Sequence, residues 1–275
     1  MTSNYMLSRR QMGARALAAA AALVVSPAIL HAQTDSPQLD VHFVPTPMEV
    51  VDAMLRMADL KKGEFLIDLG SGDGRIPIRA VKKYGAKALG VDLDPRRLKE
   101  ASDNARKEGV QDELTFRMQN LFETDLSQAN VISMYLLTSI NAKLRPKLLE
   151  LRPGVRIVSH AFNMGDWQPD QHERIEGRNA YMWTVPARVA GRWQMEVGGN
   201  KFPIEIKQQF QRFDGSAEPG GKSVQVTDGR LKGSAISFTV EIDGKPRTFT
   251  GEVNDGAMVG TGADAGAWNA KRAAS

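Results

Sequence analysis

Three alternating glycines follow a short apolar run that ends in an aspartate. In the stretch EFLIDLGSGDG, Asp68 precedes Gly70, Gly72 and Gly74. A glycine-rich turn between a strand and a helix brings backbone close to a ligand and points the helix N-terminus at it. The pattern G-x-G-x-G departs from the G-x-G-x-x-G fingerprint of dinucleotide sites. Asp73 follows the second glycine, where its charge would repel a pyrophosphate. The turn therefore predicts a site for a ligand without phosphate groups.

A second acid stands at the tip of the next predicted strand. Asp92 ends the run GVD, 24 positions after Asp68. Each oxygen of a carboxylate placed there can accept a hydrogen bond from one hydroxyl of a ribose. Two acids suit a cationic nucleoside such as S-adenosylmethionine, which carries a sulfonium, an ammonium and no phosphate. The residues expected to bind it are Thr46, Asp68, Gly70, Ser71, Gly72, Asp73, Gly74, Asp92, Leu93, Asn120 and Leu121, with the last two at the adenine.

An alternating α/β fold would bring these residues together. The patterns predict strands near 64–68, 86–93, 113–120, 130–137 and 155–162, and helices at 75–85, 94–109 and 141–154. Strands that alternate with helices indicate a parallel sheet covered on both faces. A further helix begins after Thr46, which can cap it, and residues 173–185 predict a closing antiparallel hairpin.

The chain changes character after Pro186. Short strands of alternating polarity follow, with Asp-Gly pairs at 228–229, 243–244 and 255–256. Asp-Gly between alternating segments is a strong hairpin signal. We therefore expect a small all-β meander or half-barrel.

The first residues have the pattern of an export signal. Residues 1–32 hold three arginines and no acid, with an apolar stretch at 16–30. The run SRRQM at 8–12 resembles a twin-arginine motif, and an ordinary secretory signal is the alternative. We expect an exported, periplasmic protein, or a cytoplasmic one if the leader is not processed. The apolar stretch is shorter than the ~20 residues of a permanent transmembrane helix.

Composition narrows the chemistry. The 275 residues include no cysteine, which excludes disulfides, thiolate metal sites and a cysteine nucleophile. The four histidines show no HxxxH or HExxH spacing, so we expect no metal. The net charge is +4, of which the leader contributes three charges, so the remainder carries +1 and nucleic acid is not an expected partner.

The motifs together resemble a known enzyme family. DLGSGDG at 68–74, Asp92 and Asn120 look like motif I, its following acid and the adenine contact of class I (Rossmann-like) S-adenosylmethionine-dependent methyltransferases. The stretches VPTPMEVVDAML, DLGSGDGRIPI, NLFETDLS and VSHAFNMGDW are similar to bacterial relatives of the lysine methyltransferases that modify adenine nucleotide translocase and the ATP synthase c-subunit. Many relatives have an aspartate where Asn120 stands, and the β-meander has no counterpart that we recognise in the eukaryotic members.

The resemblance implies a fold and a co-substrate. It implies a doubly wound Rossmann-like methyltransferase domain, at 45–186. The patterns outside it predict an export signal at 1–32, a tether at 33–44 and a small β domain at 187–275. S-adenosylmethionine would be the co-substrate, with no metal. The resemblance also makes a protein lysine the favoured acceptor and a protein the favoured partner.

Methyl transfer from a sulfonium is an in-line displacement, so the protein must align a desolvated nucleophile. The fourth strand is not followed by a D/N-P-P-aromatic motif, which argues against adenine N6 and glutamine as acceptors. Tyr135 is a candidate to orient an amine, and His160 is a candidate base. Asp166 and Trp167 are candidates to line the acceptor pocket. The alternatives are a core-edge tyrosine, a structural histidine and a lid tryptophan.

Two other functions remain open at this point. Because S-adenosylmethionine is made in the cytoplasm, an exported protein could be a non-catalytic ligand- or partner-binding protein on a methyltransferase scaffold. An aminopropyl transferase would use the same fold, but it would need more acids in its polyamine pocket. The sequence indicates neither the oligomeric state nor the role of the β-meander.

Overall fold

The computed structural model describes residues 43–262 and 266–273. The predicted export signal and nearly all of the predicted tether lie outside these residues. No helix in the described part of the chain is long and apolar enough to span a bilayer.

The first part of the described chain alternates strands and helices. In order it contains α1 (Met48–Met57), β1 (Phe65–Leu69), α2 (Arg75–Tyr84), β2 (Lys87–Asp92), α3 (Pro95–Lys107), β3 (Leu114–Met118), β4 (Val131–Met134), α4 (Thr138–Leu149), β5 (Arg156–His160), β6 (Gln171–Ile175) and β7 (Arg178–Thr184).

These strands form a seven-stranded sheet in the order β3-β2-β1-β4-β5-β7-β6. The pairs from β3 to β5 are parallel, and β7 runs antiparallel to both β5 and β6. The doubly wound sheet and the closing hairpin are as predicted. The carboxyl ends of β2, β1, β4 and β5 therefore lie side by side along one edge.

Local sequence explains most helix ends. Asp94 caps α3 by accepting a hydrogen bond from the Arg96 backbone N–H, and Gly85 ends α2 in the left-handed conformation. Two expectations need correction. Pro47, not Thr46, is the N-cap of α1, without a side-chain cap. The helix predicted at 141–154 is α4, which begins earlier, at Thr138, ends at Leu149 and has Pro146 inside it.

The second part of the described chain is an eight-stranded closed barrel. Its strands are β8 (Gly191–Val197), β9 (Asn200–Gln209), β10 (Arg212–Ala217), β11 (Val224–Lys232), β12 (Ala235–Ile242), β13 (Lys245–Asn254), β14 (Ala257–Gly262) and β15 (Gly266–Arg272). The expectation of a half-barrel is corrected, because β15 pairs with β8 and closes the sheet. The all-β character was predicted correctly.

The barrel interior is filled by side chains. Trp193, Phe238, Phe249 and Trp268 are all buried within it. The edge of the Trp268 ring faces Phe238, with ring centroids 5.4 Å apart. Interdigitated aromatic rings of this kind stabilise a core beyond the area that they bury. The interior is therefore a packed core.

One predicted hairpin turn in the barrel is a bulge. Asp243-Gly244 and Asp255-Gly256 connect consecutive antiparallel strands, as expected. Asp228-Gly229 instead lies inside β11, where the register to both neighbouring strands shifts. Asp228 adopts a positive φ of 56° there. An extra residue with left-handed backbone bends a strand without ending it, which helps a sheet to close.

Candidate functional site

The glycine turn holds its shape through bonds to β2. The N–H groups of Gly70 and Ser71 both donate to the carbonyl of Val91 at 2.9 Å. Gly72 has a φ of +51°, and a Cβ there would lie 2.2 Å from the Phe43 ring. Phe43 is thus seated directly on the turn. Glycine is required at this position because both the backbone conformation and the space exclude a side chain.

A cavity of about 430 Å³ opens beside this turn. This volume falls within the range of small-molecule sites. It is lined by these predicted donor-site residues: Thr46, Asp68, Gly70, Ser71, Asp73, Asp92, Leu93 and Leu121. Tyr135 lines it as well. The structure thus brings together residues that the sequence separates by up to 89 positions.

Three predicted donor-site residues do not line the cavity. Gly72 supports Phe43, and a Cβ on Gly74 would lie 2.6 Å from the Phe116 ring, so both glycines serve packing. The Asn120 side chain closes a turn, where it accepts from the Phe122 N–H at 3.0 Å and donates to Glu123 at 3.2 Å. Gln119, one residue earlier, lines the cavity in its place.

Asp68 is the buried acid of the cavity. Its side chain accepts a hydrogen bond of 2.7 Å from Ser133 Oγ, and the residue is 1% exposed. Burial raises the pKa of Asp68 from 3.8 to about 8, although the hydrogen bond from Ser133 acts to lower it. The nearby charges of Asp92 and Asp73 add to the rise. The carboxyl group is therefore largely protonated at neutral pH until a cation enters the cavity.

Asp92 is held in place by backbone donors. One carboxylate oxygen accepts from the Gly72 N–H and the other from the Asp94 N–H, both at 2.9 Å. Each oxygen keeps a further lone pair. Asp92 can therefore still accept hydrogen bonds from both hydroxyls of a diol.

The sequence suggested an unpaired Asp73, but in the structure its carboxylate has a partner. Its carboxylate pairs with the Arg75 guanidinium, with the shortest contact at 2.6 Å. Arg75 also donates to the Thr46 carbonyl at 2.9 Å. The charge of Asp73 is thus neutralised within the protein, and repulsion of a pyrophosphate at neutral pH rests on Asp92. No local pattern foretold this, since Arg75 appeared only as the first residue of a helix.

One polar atom of the cavity wall lacks a partner. Ser71 is 5% exposed, and its Oγ has no hydrogen-bond partner among the described residues. A buried hydroxyl without a partner costs free energy unless a ligand satisfies it. Together with the buried Asp68 and the remaining lone pairs of Asp92, Ser71 fits a ligand with amine and hydroxyl groups, as S-adenosylmethionine has.

The strap ahead of α1, residues 43–47, connects this cavity to a second one. The Phe43 ring lies under the Arg97 guanidinium, 4.3 Å from the ring centroid. Thr46 is buried, and its Oγ1 lies 3.2 Å from His160 Nδ1. Sequence reasoning missed Phe43 and Arg97, because cation–π pairs between distant residues leave no local pattern.

The second cavity, of about 320 Å³, shares Val44, Pro45 and Tyr135 with the first. His160, Ala161 and Arg178 also line it. The His160 and Tyr135 rings lie with centroids 3.9 Å apart. Burial, and then the charge of Arg178, lower the pKa of His160 to about 4, so the imidazole is neutral at pH 7.

The backbone after His160 is strained. Ala161 has a φ of +62°, and the Phe162 N–H donates to the His160 carbonyl at 2.7 Å. A tight turn of this kind with positive φ is rare for a residue that has a side chain. Asn141 holds it by donating to the carbonyls of Phe162 and Asn163. The turn keeps His160 at the edge of the sheet.

Asp166 and Trp167 do not reach either cavity. The Asp166 side chain is 77% exposed and lies 3.9 Å from Arg145. Trp167 is fully buried and stacks on Phe210, with centroids 5.9 Å apart. The expectation that they line an acceptor pocket is corrected, because the loop turns Trp167 towards the core. In the described residues no group of three His, Asp or Glu side chains could hold a metal.

Comparisons with known proteins agree with this geometry. The model of the ANTKMT methyltransferase domain family matches residues 68–171. The protein-lysine N-methyltransferase of Saccharolobus islandicus (strain REY15A) is 43% identical over 141 residues, which are 50% of this chain and 88% of the relative. The lysine N-methyltransferase of the ATP synthase c-subunit from Mus musculus is 32% identical, with 58% of this chain and 65% of the relative covered.

A solved structure supports the same assignment. The RNA methyltransferase from Salinibacter ruber, crystallised in complex with S-adenosyl-L-homocysteine, is 50% identical with a TM-score of 0.52. The match covers 53% of this chain and 96% of that one. This chain thus belongs to the S-adenosylmethionine-dependent methyltransferases of the ANTKMT methyltransferase domain family.

Proposed function

We propose that the enzyme methylates the side-chain amine of a lysine in a protein. The observation that carries this proposal is the second cavity, where Tyr135 and a neutral, buried His160 lie next to the donor site. The names of two relatives, which specify lysine, support it. The comparisons support an enzyme, and nothing in them favours a scaffold that has lost its ligand.

The order of strands supports a separate role for each part of the edge. When bound, S-adenosylmethionine supplies a methyl group activated by the sulfonium. Asp92, on β2, would hold the ribose, with Gln119 and Leu121 at the adenine. Asp68, on β1, would face the ammonium. Neighbouring strands lie about 4.8 Å apart, so β4 and β5 would carry the acceptor on the far side of Asp68.

A lysine amine must lose its proton before it can attack the methyl carbon. In the second cavity the ring of Tyr135, which stacks on the Phe162 ring with centroids 6.0 Å apart, disfavours a charged amine. Arg178 carries a positive charge at the same cavity and acts in the same direction. The amine would therefore release its proton to solvent as it enters.

His160 would orient the amine and not deprotonate it. A base with a pKa of about 4 holds a proton too weakly to take one from an ammonium group. If Nδ1 carries the proton and donates it to Thr46 Oγ1, Nε2 is left free to accept an N–H bond from the amine. Tyr135 would supply the second contact through its hydroxyl group.

Two variants and two measurements test the proposal. Lysine-containing proteins are incubated with enzyme and donor, and methylation is located by mass spectrometry. Tyr135→Phe and His160→Asn should slow transfer without changing donor affinity, which calorimetry measures separately. Methylated RNA in place of protein, or full turnover by both variants, would overturn the assignment.

We also propose that the protein is exported and cut after the leader. The twin arginines Arg9 and Arg10 and the apolar stretch behind them support this. Sequencing the N-terminus of the protein from separated periplasm and cytoplasm tests it, with Arg9→Lys/Arg10→Lys as the variant. A protein that keeps residues 1–32 and stays in the cytoplasm would contradict export, and it would have direct access to the donor.

We propose residue 186 as the boundary between the methyltransferase domain (45–186) and the β domain (187–275). The buried cluster of the barrel runs from Ala187 to Ala270, which supports this division. Expression of residues 187–275 alone tests it. Cooperative thermal unfolding of this fragment is expected, and an unfolded fragment would contradict the boundary.

A further inference from the structure

A groove lies outside the barrel, next to the loop that leads into β6. Its volume is about 1120 Å³, which exceeds the range of about 300–1,000 Å³ typical of small-molecule sites. Gln168, Pro169 and Asp170 form one wall, and Gln211 with residues of β10 to β14 forms the rest. A groove of this size is open enough to hold a stretch of polypeptide.

Two like charges face each other in this groove. Arg212 on β10 and Arg230 on β11 are directly opposed in the antiparallel register, and both are exposed. Lys232 follows two residues after Arg230 and so points to the same face. Like charges directly opposite each other destabilise a sheet. Such a pair is unexpected unless an anion offsets it.

No acidic residue in the described part of the chain pairs with these two arginines. Among the described residues, neither Arg212 nor Arg230 forms an ion pair, and the Arg230 side chain donates only to the carbonyl of Gly229. Two acids, Asp170 and Glu252, also line the groove, but neither forms an ion pair with Arg212 or Arg230, and the Asp170 carboxylate accepts a hydrogen bond from the Thr184 N–H at 2.7 Å. The two arginines are left for a partner.

The groove lies away from the donor site. Asp170 bonds to the end of β7 that pairs with Arg156, the first residue of β5, whereas His160 is the last residue of β5. At about 3.3 Å per residue, β5 alone separates the two places by about 13 Å. A ligand that used both would have to be large.

We propose that this groove, lined by Arg212, Arg230 and Lys232, binds an acidic segment of the protein that is methylated. The inference rests on the proposed function for its link to the substrate, but binding in the groove is independent of catalysis. The lack of aromatic rings among its described lining residues favours a polypeptide over single-stranded nucleic acid, which stacks its bases on such rings.

The test is direct binding of a fluorescein-labelled peptide of eight glutamates to the mature full-length protein, followed by fluorescence anisotropy at two salt concentrations. Arg212→Glu/Arg230→Glu should weaken binding at least about tenfold, because each exposed contact is lost and replaced by repulsion. Arg212→Gln/Arg230→Gln should weaken it less and leave the melting temperature unchanged or higher.

The barrel offers a matched control. Lys222 lies between Ala217 and Val224, and Lys245 pairs with Ile242, so both are at the opposite end of the barrel. Lys222→Glu/Lys245→Glu makes the same change in charge and should alter binding by less than about twofold, since surface charges that far apart are screened. Donor affinity, measured by calorimetry, should be the same in all variants.

Three results would overturn the proposal. One is equal loss of peptide binding in the groove and control variants, and another is no loss in either. The third is tighter binding of a 20-nucleotide oligo(U) RNA, with the same dependence on Arg212 and Arg230. Binding of the peptide by an enzyme that methylates no lysine would refute lysine as the acceptor and leave the binding groove standing. Failure of the proposed function and failure of the groove proposal are therefore distinguishable.

Discussion

Asp68 gives donor binding a dependence on pH that can be measured. The carboxyl group is buried and has a pKa of about 8 in the free enzyme, so about one tenth is ionised at pH 7. A donor with an ammonium group binds the ionised form. The apparent affinity is the intrinsic affinity reduced by that fraction.

The magnitude follows from the same pKa. Between pH 6 and pH 7 the ionised fraction rises from about one hundredth to about one tenth, so the dissociation constant should fall about ninefold. Binding at pH 7 should release about 0.9 proton per donor. The pH range of these measurements should end near pH 7.5, because the α-amino group of the donor loses its own proton at about pH 7.7–8.0.

Calorimetry at pH 6.0, 6.5 and 7.0, in buffers with different ionisation enthalpies, measures both quantities. Asp68→Asn should bind the donor weakly and without this dependence on pH. Ser133→Ala removes the hydrogen bond that opposes the rise, so it should move the dependence to higher pH. A dissociation constant that stays flat from pH 6 to 7, without proton release, would refute the reasoning.

Asp68 also makes the free enzyme less stable as pH rises. Because its folded pKa of about 8 exceeds the unfolded value of 3.8, the folded state binds the proton more tightly. The stability contributed below pH 3.8 is lost progressively up to about pH 8. At about 1.4 kcal/mol per pH unit, this loss reaches up to about 4 kcal/mol at pH 7. Asp68→Asn should therefore raise the melting temperature of the free enzyme at pH 7 while it weakens donor binding.

Three further results are expected. Gly72→Ala should weaken donor binding in calorimetry, because a Cβ would lie 2.2 Å from the Phe43 ring. Gly63 also has a positive φ, but nothing lies within 4 Å of its Cβ position. Gly63→Ala should therefore cost only about 1–3 kcal/mol of stability in denaturation experiments. The rate of methyl transfer at saturating donor should show no inflection from His160 between pH 5.5 and 7.5, since its pKa is about 4; an inflection that His160→Asn removed would contradict this. Trp268→Ala should lower the free energy of unfolding by about 3–5 kcal/mol and leave donor affinity unchanged, with Val259→Ala at an exposed site as the control in urea denaturation.

The gathering of most predicted donor-site residues around one cavity could be foreseen because the key residues follow local patterns. Asp68 and Asp92 each end an apolar run, and parallel strands bring such ends to one edge of the sheet. Asn120 does not line the cavity as predicted, because the sequence locates the end of a strand only to within about a residue. The neighbouring Gln119 lines the cavity instead.

Other features depend on contacts that no local pattern records. Threonine is a residue type that often caps helices, but the hydroxyl group of Thr46 contacts His160, 114 residues away in the sequence. Trp167 looked like a lid residue, and its stacking on Phe210 depends on how the barrel sits beside the sheet. The closure of the barrel by β15 and β8 joins residues about 70 positions apart, which alternation of polarity does not specify.

Thr46 links the two sides of the reaction. Its carbonyl accepts a hydrogen bond from Arg75, which is paired with Asp73 in the donor turn, and its hydroxyl group lies against His160 on the acceptor side. A displacement of the glycine turn on donor binding would therefore reach His160 through one buried residue. Because His160 is held at its other side by the strained turn at Ala161, it has little freedom to absorb such a displacement. The acceptor amine would then meet a correctly placed imidazole only when the donor turn is in its bound position, which favours binding of the donor first.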